Sequence, residues 1–341
     1  MTHTADGLLG SDDPKCAGLS RAAILGALGV YAGLLALGWW ALMRFTPDDV
    51  SLSLAGRHLE VHNVHDRLLR DGAVILTLLP LAFWIECLVV GWERCSLRRL
   101  FADRTPSLKT DLSVLLLGQG HVLDLVSKVL TLGAGVFASV WLRDRIAAAT
   151  GFQVDASALP FLVQLVIYFY AYTFFDYWTH RFDHGRFFWP LHRYHHSARD
   201  FGVVTAARQH PAAFLGPFVV NLPMAFLGAS PSVMIWVNVL VTGIGFLIHS
   251  EIKSDWGWVG RWIVQSPLHH RLHHKLDMTE KTGHFGVAPI WDRLFGTWYD
   301  NAHKYPEIGV SAPYRHGYFI VPDMARDYWH FWSGWFVRRT E

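Results

Sequence analysis

Residues 157–184 read SALPFLVQLVIYFYAYTFFDYWTHRFDH, and this stretch decides the fold. Its first 19 residues, Ser157 to Phe175, carry no charge. As a helix the run is about 29 Å long, close to the thickness of a bilayer core. A lone segment in lipid must pair its own backbone groups, which only a helix does. The first histidine, His180, follows five residues later, and His184 stands one helical turn beyond it. The reading is a membrane helix that ends in two imidazoles on one face.

The same apolar character extends outward. The 341 residues are 52% hydrophobic and only 17% charged, with 16 Trp and 22 Phe, too apolar for an ordinary soluble domain. Ala22 to Met43 is a run of 22 uncharged residues between Arg21 and Arg44. It is too long for the core of a signal peptide, and Asp6, Asp12, Asp13 and Lys15 ahead of it show no basic bias, so it is expected to stay as a membrane helix. Ala73 to Val90 is another apolar run, with Glu86 inside it. Leu112 to Leu142 is a third, holding His121, Asp124 and Lys128. Asp124 and Lys128 are four apart, the spacing of a pair on one helix face. Ala212 to Ile248 is broken by Pro217, Pro223, Pro231, Gly243 and Gly245, and reads as a hairpin that dips into the bilayer without crossing.

These segments predict an all-α integral membrane protein of about four transmembrane helices with a cytoplasmic, histidine-rich helical cap. The expected divisions are a tail at 1–21, membrane helices within 22–178, the histidine region at 179–300 with its hairpin at 212–248, and a C-terminal segment at 301–341. In that last segment Tyr328, Trp329, Phe331, Trp332, Trp335 and Phe336 precede Arg338 and Arg339. Such a mix suits a helix at the lipid–water boundary, or one packed on the body of the protein. Residues 93–110 hold Arg94, Arg98, Arg99, Arg104 and Lys109, slightly more cations than Arg44, Arg57, Arg67 and Arg70 in 44–71. The positive-inside rule then puts 93–110, the N-terminus and the histidines in the cytoplasm.

Histidine supplies 20 of the 341 residues. His192-Arg-Tyr-His195-His196 and His270-Arg-Leu-His273-His274 both read H-x-x-H-H, downstream of the H-x-x-x-H pair His180 and His184. At helical spacing each set is expected to aim two or three imidazoles at one point. Imidazole is the commonest metal ligand at neutral pH. Eight such groups exceed what one ion takes, which argues for two metals. Nitrogen donors suit Fe, Zn, Cu and Ni. The sets contain no cysteine, which counts against a structural zinc site. Cys16, Cys87 and Cys95 lack ligand spacing and read as reduced thiols, so no iron–sulfur centre is expected. No Glu stands three before any clustered histidine, which sets aside the carboxylate-rich di-iron class. A net charge of +2 without a basic run gives no nucleic-acid footprint. His58, His62 and His65, in the loop predicted across the membrane, read as surface residues. Three readings stand: a redox centre acting on a lipid from the bilayer, a non-redox membrane metal-binding or transport protein, and a zinc-dependent lipid hydrolase.

Several stretches together resemble one family over roughly residues 160–300. They are Asp176-Tyr-Trp-Thr-His180-Arg-Phe-Asp-His184, Trp189-Pro-Leu-His192-Arg-Tyr-His195-His196-Ser197, Ala207-Arg208-Gln-His210-Pro211, Pro267-Leu-His-His270-Arg-Leu-His273-His274 and Trp291-Asp292-Arg-Leu-Phe295-Gly296-Thr297. The resemblance is to the fatty acid hydroxylase / sterol desaturase superfamily. It implies a membrane-bound non-haem di-iron oxidoreductase with two Fe ions (Fe2+/Fe3+) and O2 as co-substrate. Hydroxylation of a membrane lipid is the first expectation and desaturation on the same scaffold the alternative. The implied location is a bacterial inner membrane or the endoplasmic reticulum, with the active site on the cytoplasmic side. No haem domain is recognised in the chain, so electrons are expected from a separate ferredoxin, or a cytochrome b5 with its reductase.

The resemblance also carries catalytic and ligand roles onto His180, His184, His192, His195, His196, His270, His273 and His274, and onto His249 between the second and third sets. His284, in Gly283-His284-Phe285-Gly286 where the family often has an Asn-Tyr-Gly-like stretch, is either a tenth ligand or a group that positions water. Glu251 stands where many relatives carry Asn. Asp176 and Asp292 are candidates to hold ligand rings through the ring nitrogen that faces away from the metal. Arg208 and His210 are expected to line the site. A fatty acyl chain, a sphingolipid, a sterol and a carotenoid all fit the pattern.

Overall fold

The computed structural model describes residues 20–54, 57–61, 64–65, 72–120, 122–123, 126, 141, 144–151, 159–213, 227, 229, 231–276, 283–299 and 305–336. The N-terminal tail with Cys16, the residues His62, His121, Asp124 and Lys128, the proline-rich half of the hairpin, and Arg338 and Arg339 lie outside the described residues.

Helix α1 is Arg21–Phe45. Ser20 starts it, its Oγ accepting from the Ala23 N–H at 3.2 Å, an N-cap that satisfies one orphaned donor. Leu25, Val30, Leu34, Leu37 and Trp40 are all exposed along it. Among the described residues it is the one helix long and apolar enough to cross a membrane. Its first turn is seated where Ile24 packs against Cys87 and Cys95, and further along the Tyr31 hydroxyl donates to Leu76 O.

The loop after α1 departs from the all-helical expectation. Strands β1, Val50–Leu54, and β2, Arg57–Val61, form an antiparallel hairpin with Val50 opposite Val61 and Ser53 opposite His58. The alternation Val-Ser-Leu-Ser-Leu is a period-two pattern that a helix does not use. His65 bonds back to the carbonyl of Thr46 at 2.7 Å, so it braces this loop.

The second apolar run is a π-helical segment, Ala73–Leu78, continuing into α2, Leu79–Val90. Then come α3, Ser96–Ala102; α4, Pro106–Gln119; and α5, Phe161–Asp183. The histidine region follows with α6, Trp189–His196; α7, Pro231–Ile248; α8, Gly257–Trp262; α9, Pro267–His273; and α10, Pro289–Leu294. The chain ends in α11, Val321–Phe336. Pro opens α4, α6, α9 and α10 within the first two helical positions, where its missing N–H costs nothing.

Leu79, Phe83, Leu115, Val203, Val204 and Phe246 join α2, α4 and α7 in one apolar core. Glu86 is fully buried in α2, where its carboxylate accepts from Ser96 N–H (2.8 Å), Ser96 Oγ (2.6 Å) and the N–H of Glu251 (2.8 Å). It ties α2 to the turn that follows His249. Helix α11 buries Met324 and Phe331 and turns Trp329, Trp332 and Trp335 outward. Its inner face is locked by Asp327, which accepts from Arg193 Nη2 at 2.6 Å and from Tyr314 OH at 2.5 Å.

Candidate metal centre

Nine of the described histidines gather into two adjoining groups. His180, His184, His192, His196 and His273 form one; His195, His249, His270 and His274 form the other, each with its ligand atoms within 4.8 Å of one another. The two touch where His196 and His274 stack at 4.3 Å. Each H-x-x-H-H set aims two imidazoles at one point, within the expectation of two or three, and sends its third ring to the other group. The helical step of about 100° explains it. His192 and His196 are four apart and share a face, while His195 is splayed from His196 by one step and joins the other group. In the third set His270 and His274 stay together and His273 crosses over.

Five of these rings are held from behind. Nδ1–H of His180 donates to Phe285 O (2.7 Å), His195 to Arg208 O (3.1 Å), His249 to Gly245 O (2.6 Å), His273 to Gly283 O (3.0 Å) and His270 to Gln265 Oε1 (2.9 Å). Such bonds fix the tautomer and leave Nε2 as a bare lone pair facing inward. His249 Nε2 then lies 2.9 Å from His270 Nε2 and 3.3 Å from His195 Nε2. Lone pairs placed so close repel one another unless a cation sits among them. Further buried ring nitrogens, His184 Nε2, His196 Nδ1, His273 Nε2 and both of His274, have no hydrogen-bond partner. All-imidazole donors with orphaned, converging nitrogens fit metal ions of the Fe, Zn, Cu or Ni type.

Burial, reinforced by neighbouring imidazoles, holds His184, His192, His195, His196, His270, His273 and His274 well below the ordinary imidazole pKa. Burial also brings His249 down to about 4. These rings stay neutral in the fold and take up protons once unfolded. The unfolded chain therefore binds more protons below roughly pH 6.5, and metal-free stability falls as pH falls through that value. Each such histidine contributes up to about 1.4 kcal/mol per pH unit. Thermal melts of the metal-free protein are expected to drop steeply below roughly pH 6.5. A flat profile would mean that the rings charge within the fold.

The other expected site residues divide. Asp292 is buried and holds the loop behind the rings: its carboxylate accepts from the N–H groups of Phe285 and Gly286, each at 2.8 Å, and from Thr297 Oγ1 at 2.7 Å. Burial pushes its carboxyl up to about 6 against those bonds. It thus reaches His180 through the Phe285 carbonyl. Asp176 bonds to no ligand ring among the described residues and lines a cavity instead. Arg208 contributes its backbone carbonyl, while its guanidinium turns away into an ion pair with Asp111. His210 lines the cavity and bonds to Met324 O at 2.9 Å. His284 belongs to neither group; it stacks on His269 at 5.3 Å and meets Trp298 edge-on at 4.5 Å. Its φ of 59° lies in the left-handed region, which His tolerates better than most residues. Gly283 before it is required: a Cβ there would lie 1.6 Å from Thr297 O.

Sequence reasoning missed Gln265. Its amide accepts from His270 and donates to His284 O at 2.6 Å, so one side chain sets both the ring and the loop. Its separation of five residues from His270 is no helical spacing and gave no signal.

A cavity of about 740 Å3 opens against one side of both groups. His180 and His192 reach it from the first group and His195, His249 and His270 from the second. Val114, Leu115, Val241, Phe246 and Ile248 supply apolar walls.

Two all-histidine groups beside a cavity with apolar walls, in a helical protein with one exposed apolar helix, make a candidate metal centre. Residues 165–297 match the fatty acid hydroxylase family model. The chain is 35% identical over 133 residues to an alkylglycerol monooxygenase of Xenopus tropicalis, covering 38% of this chain and 29% of that protein. It is 34% identical over 127 residues to the Homo sapiens alkylglycerol monooxygenase, covering 36% and 27%. An ornithine lipid hydroxylase, OlsE of Rhizobium tropici, is 28% identical over 163 residues, covering 47% and 49%. The chain thus spans less than half the length of these relatives. No solved structure matches it.

Proposed function

We propose that this chain is a membrane-bound oxidoreductase that hydroxylates a C–H bond of a membrane lipid with O2. The observation that carries the reading is the pair of histidine groups with bare nitrogens converging beside an apolar cavity. His180, His184, His192, His196 and His273 would hold one iron, and His195, His249, His270 and His274 the other. Iron bound there supplies the capacity to take up and reduce dioxygen. The residues do the rest. Backbone carbonyls and Gln265 keep the rings aimed. The walls from α4 and α7 hold the substrate so that one carbon faces the histidines, since position decides which C–H reacts. The same walls exclude water.

Turning C–H into C–OH with O2 leaves one oxygen as water, and needs two electrons and two protons. A ferredoxin, or a cytochrome b5 with its reductase, is the proposed electron source. In this reading α1, the run 73–90, the run 112–142 and α5 cross the bilayer, residues 179–300 form the catalytic region on the cytoplasmic side, and α11 lies at the interface. The membrane is a bacterial inner membrane, or the endoplasmic reticulum in a eukaryote.

The test is the metal content and product of the detergent-purified protein, expressed in iron-rich medium. About two irons per chain, with a gain of one oxygen in a defined lipid under O2 and a reduced donor, is expected. A loss of two hydrogens would make it a desaturase. Zinc, or no metal and no oxygen uptake, would replace the reading with a transport protein or a hydrolase.

A further inference from the structure

The second histidine group is backed by a column of side chains that lies outside the cavity lining. The buried Phe201 ring packs against His274 at 5.1 Å, His249 at 5.2 Å and His270 at 6.1 Å. The Arg271 guanidinium sits over Phe201 at 5.4 Å and over Tyr305 at 3.7 Å. Tyr305 is 37% exposed. Packed contacts thus run from the surface through Tyr305, Arg271 and Phe201 to three rings of one group. The column is braced at its outer end. Tyr305 OH donates to Glu251 Oε2 at 2.5 Å, Arg99 Nη1 donates to Glu251 Oε1 at 2.7 Å, and Arg271 Nε donates to Pro306 O at 3.4 Å. Phe201, Arg271 and Tyr305 do not line the cavity, so the column leaves the lipid's space free.

The surface around Tyr305 carries its own signature. The Lys253 ammonium lies over the Tyr305 ring at 4.3 Å. Leu276 is exposed, and its N–H donates to Glu307 O at 2.8 Å, two residues from Tyr305. Lys275 pairs with Ile308 across a β-bridge, and Arg199 and Leu276 flank Gly309. Lys253, Lys275 and Arg199 are exposed, and among the described residues Glu307 is the exposed carboxylate that stands against them. Glu251 and Asp200 are already matched by Arg99, at 2.7 Å and 2.8 Å. A tyrosine and a leucine ringed mainly by cations form a small mixed surface, the kind used by short-lived electron-transfer encounters, and the cations steer an acidic partner toward it. Tunnelling falls steeply with distance, and packed side chains carry it better than a gap.

We propose that a small acidic electron-transfer protein docks on the Tyr305 surface, and that Tyr305, Arg271 and Phe201 form the electron's route to the group of His195, His249, His270 and His274. Each electron leaves the donor's reduced centre and reduces ferric iron held by that group to ferrous iron; the side chains of the column keep their own oxidation state. Two such transfers supply the two electrons of one hydroxylation. The assignment rests on the hydroxylase reading, since only a redox reaction calls for a donor.

The experiment uses iron-loaded protein in detergent, an acidic ferredoxin as probe and a basic c-type cytochrome as its opposite. Equilibrium binding is measured at low and high salt, and reduction of the ferric iron is followed by stopped-flow absorbance. Ferredoxin is expected to bind at low salt, to be released by high salt, and to bind more tightly than the cytochrome. Lys253→Glu with Lys275→Glu weakens ferredoxin binding roughly tenfold or more and reverses the preference between the two probes. Phe201→Leu, which is buried, leaves binding unchanged but slows reduction several-fold at saturating ferredoxin. Retained iron and an unchanged rate with dithionite show that the variant's metal site is intact, and Arg271→Leu takes its place if iron is lost. No binding of ferredoxin at low salt, binding that ignores the charge reversal, or reduction at the native rate in the column variants overturns the proposal. Docking and reduction without any oxygenated lipid instead overturn the hydroxylase reading and leave the docking surface standing.

Discussion

Alanine variants of the proposed ligand histidines are expected to sort by metal group and not by sequence motif. His195→Ala pairs with His270→Ala, since both come from one group, whereas His192→Ala pairs with His273→Ala. The motif would predict the opposite, since His192 and His195 are three residues apart. Loss of a group that merely orients a ligand already costs about 10–100-fold in metal affinity, so loss of a ligand costs more. Each single variant should therefore retain about one iron, with the surviving site's spectroscopic signature shared within a pair. The double variant His195→Ala, His273→Ala takes one ligand from each group and should lose both ions and all turnover. Iron analysis with Mössbauer spectra checks this. Variants that pair by motif would dismantle the crosswise assignment.

The second large effect lies outside the rings. Arg208 and Asp111 are both fully buried and bonded, Arg208 Nε to Asp111 Oδ1. Arg208 Nη2 also donates to Ser107 O at 2.6 Å and to Ser107 Oγ at 3.0 Å, and Nη1 to Ser197 Oγ at 3.1 Å. Thr205 Oγ1 donates to the other Asp111 oxygen at 3.0 Å. Asp111→Ala leaves a guanidinium buried without its counter-charge, which costs about 3–5 kcal/mol. The shift also moves the Arg208 carbonyl that His195 uses, so iron in that group should be bound more weakly. Replacing both charges with Asp111→Leu and Arg208→Met should recover much of the stability, because removing a whole buried pair is far cheaper than halving it. Denaturation of the three proteins decides the matter; an Asp111→Ala variant no weaker than a surface substitution would sink it.

The parts legible in the sequence are the local ones. The uncharged run before His180 announces a helix, and α5 is there, while among the described residues only α1 is long and apolar enough to cross a membrane. The histidine spacings pick out the residues that the fold brings together, because i and i+4 neighbours meet on any helix. Spacing could not say which ring goes to which group, since that depends on how α6 and α9 face each other. The hairpin β1–β2 was hidden in a loop read for its charges, although its alternation was in plain view. Asp111 and Gln265 carried no signal, because Asp111 meets Arg208 across 97 residues and Gln265 acts from a loop. The carbonyls behind the rings belong to no residue type at all.

That last feature bears on how the protein can change over generations. Four of the five anchored rings lean on main-chain oxygens of Phe285, Arg208, Gly245 and Gly283, which side-chain replacement does not delete. The cavity walls, by contrast, are side chains on α4, α5 and α7. Substrate choice can drift by ordinary point mutation while the ligand geometry is inherited with the backbone. Libraries aimed at new lipids should therefore randomise Val114, Leu115, Val241 and Phe246, and screen for specificity among clones that keep their iron.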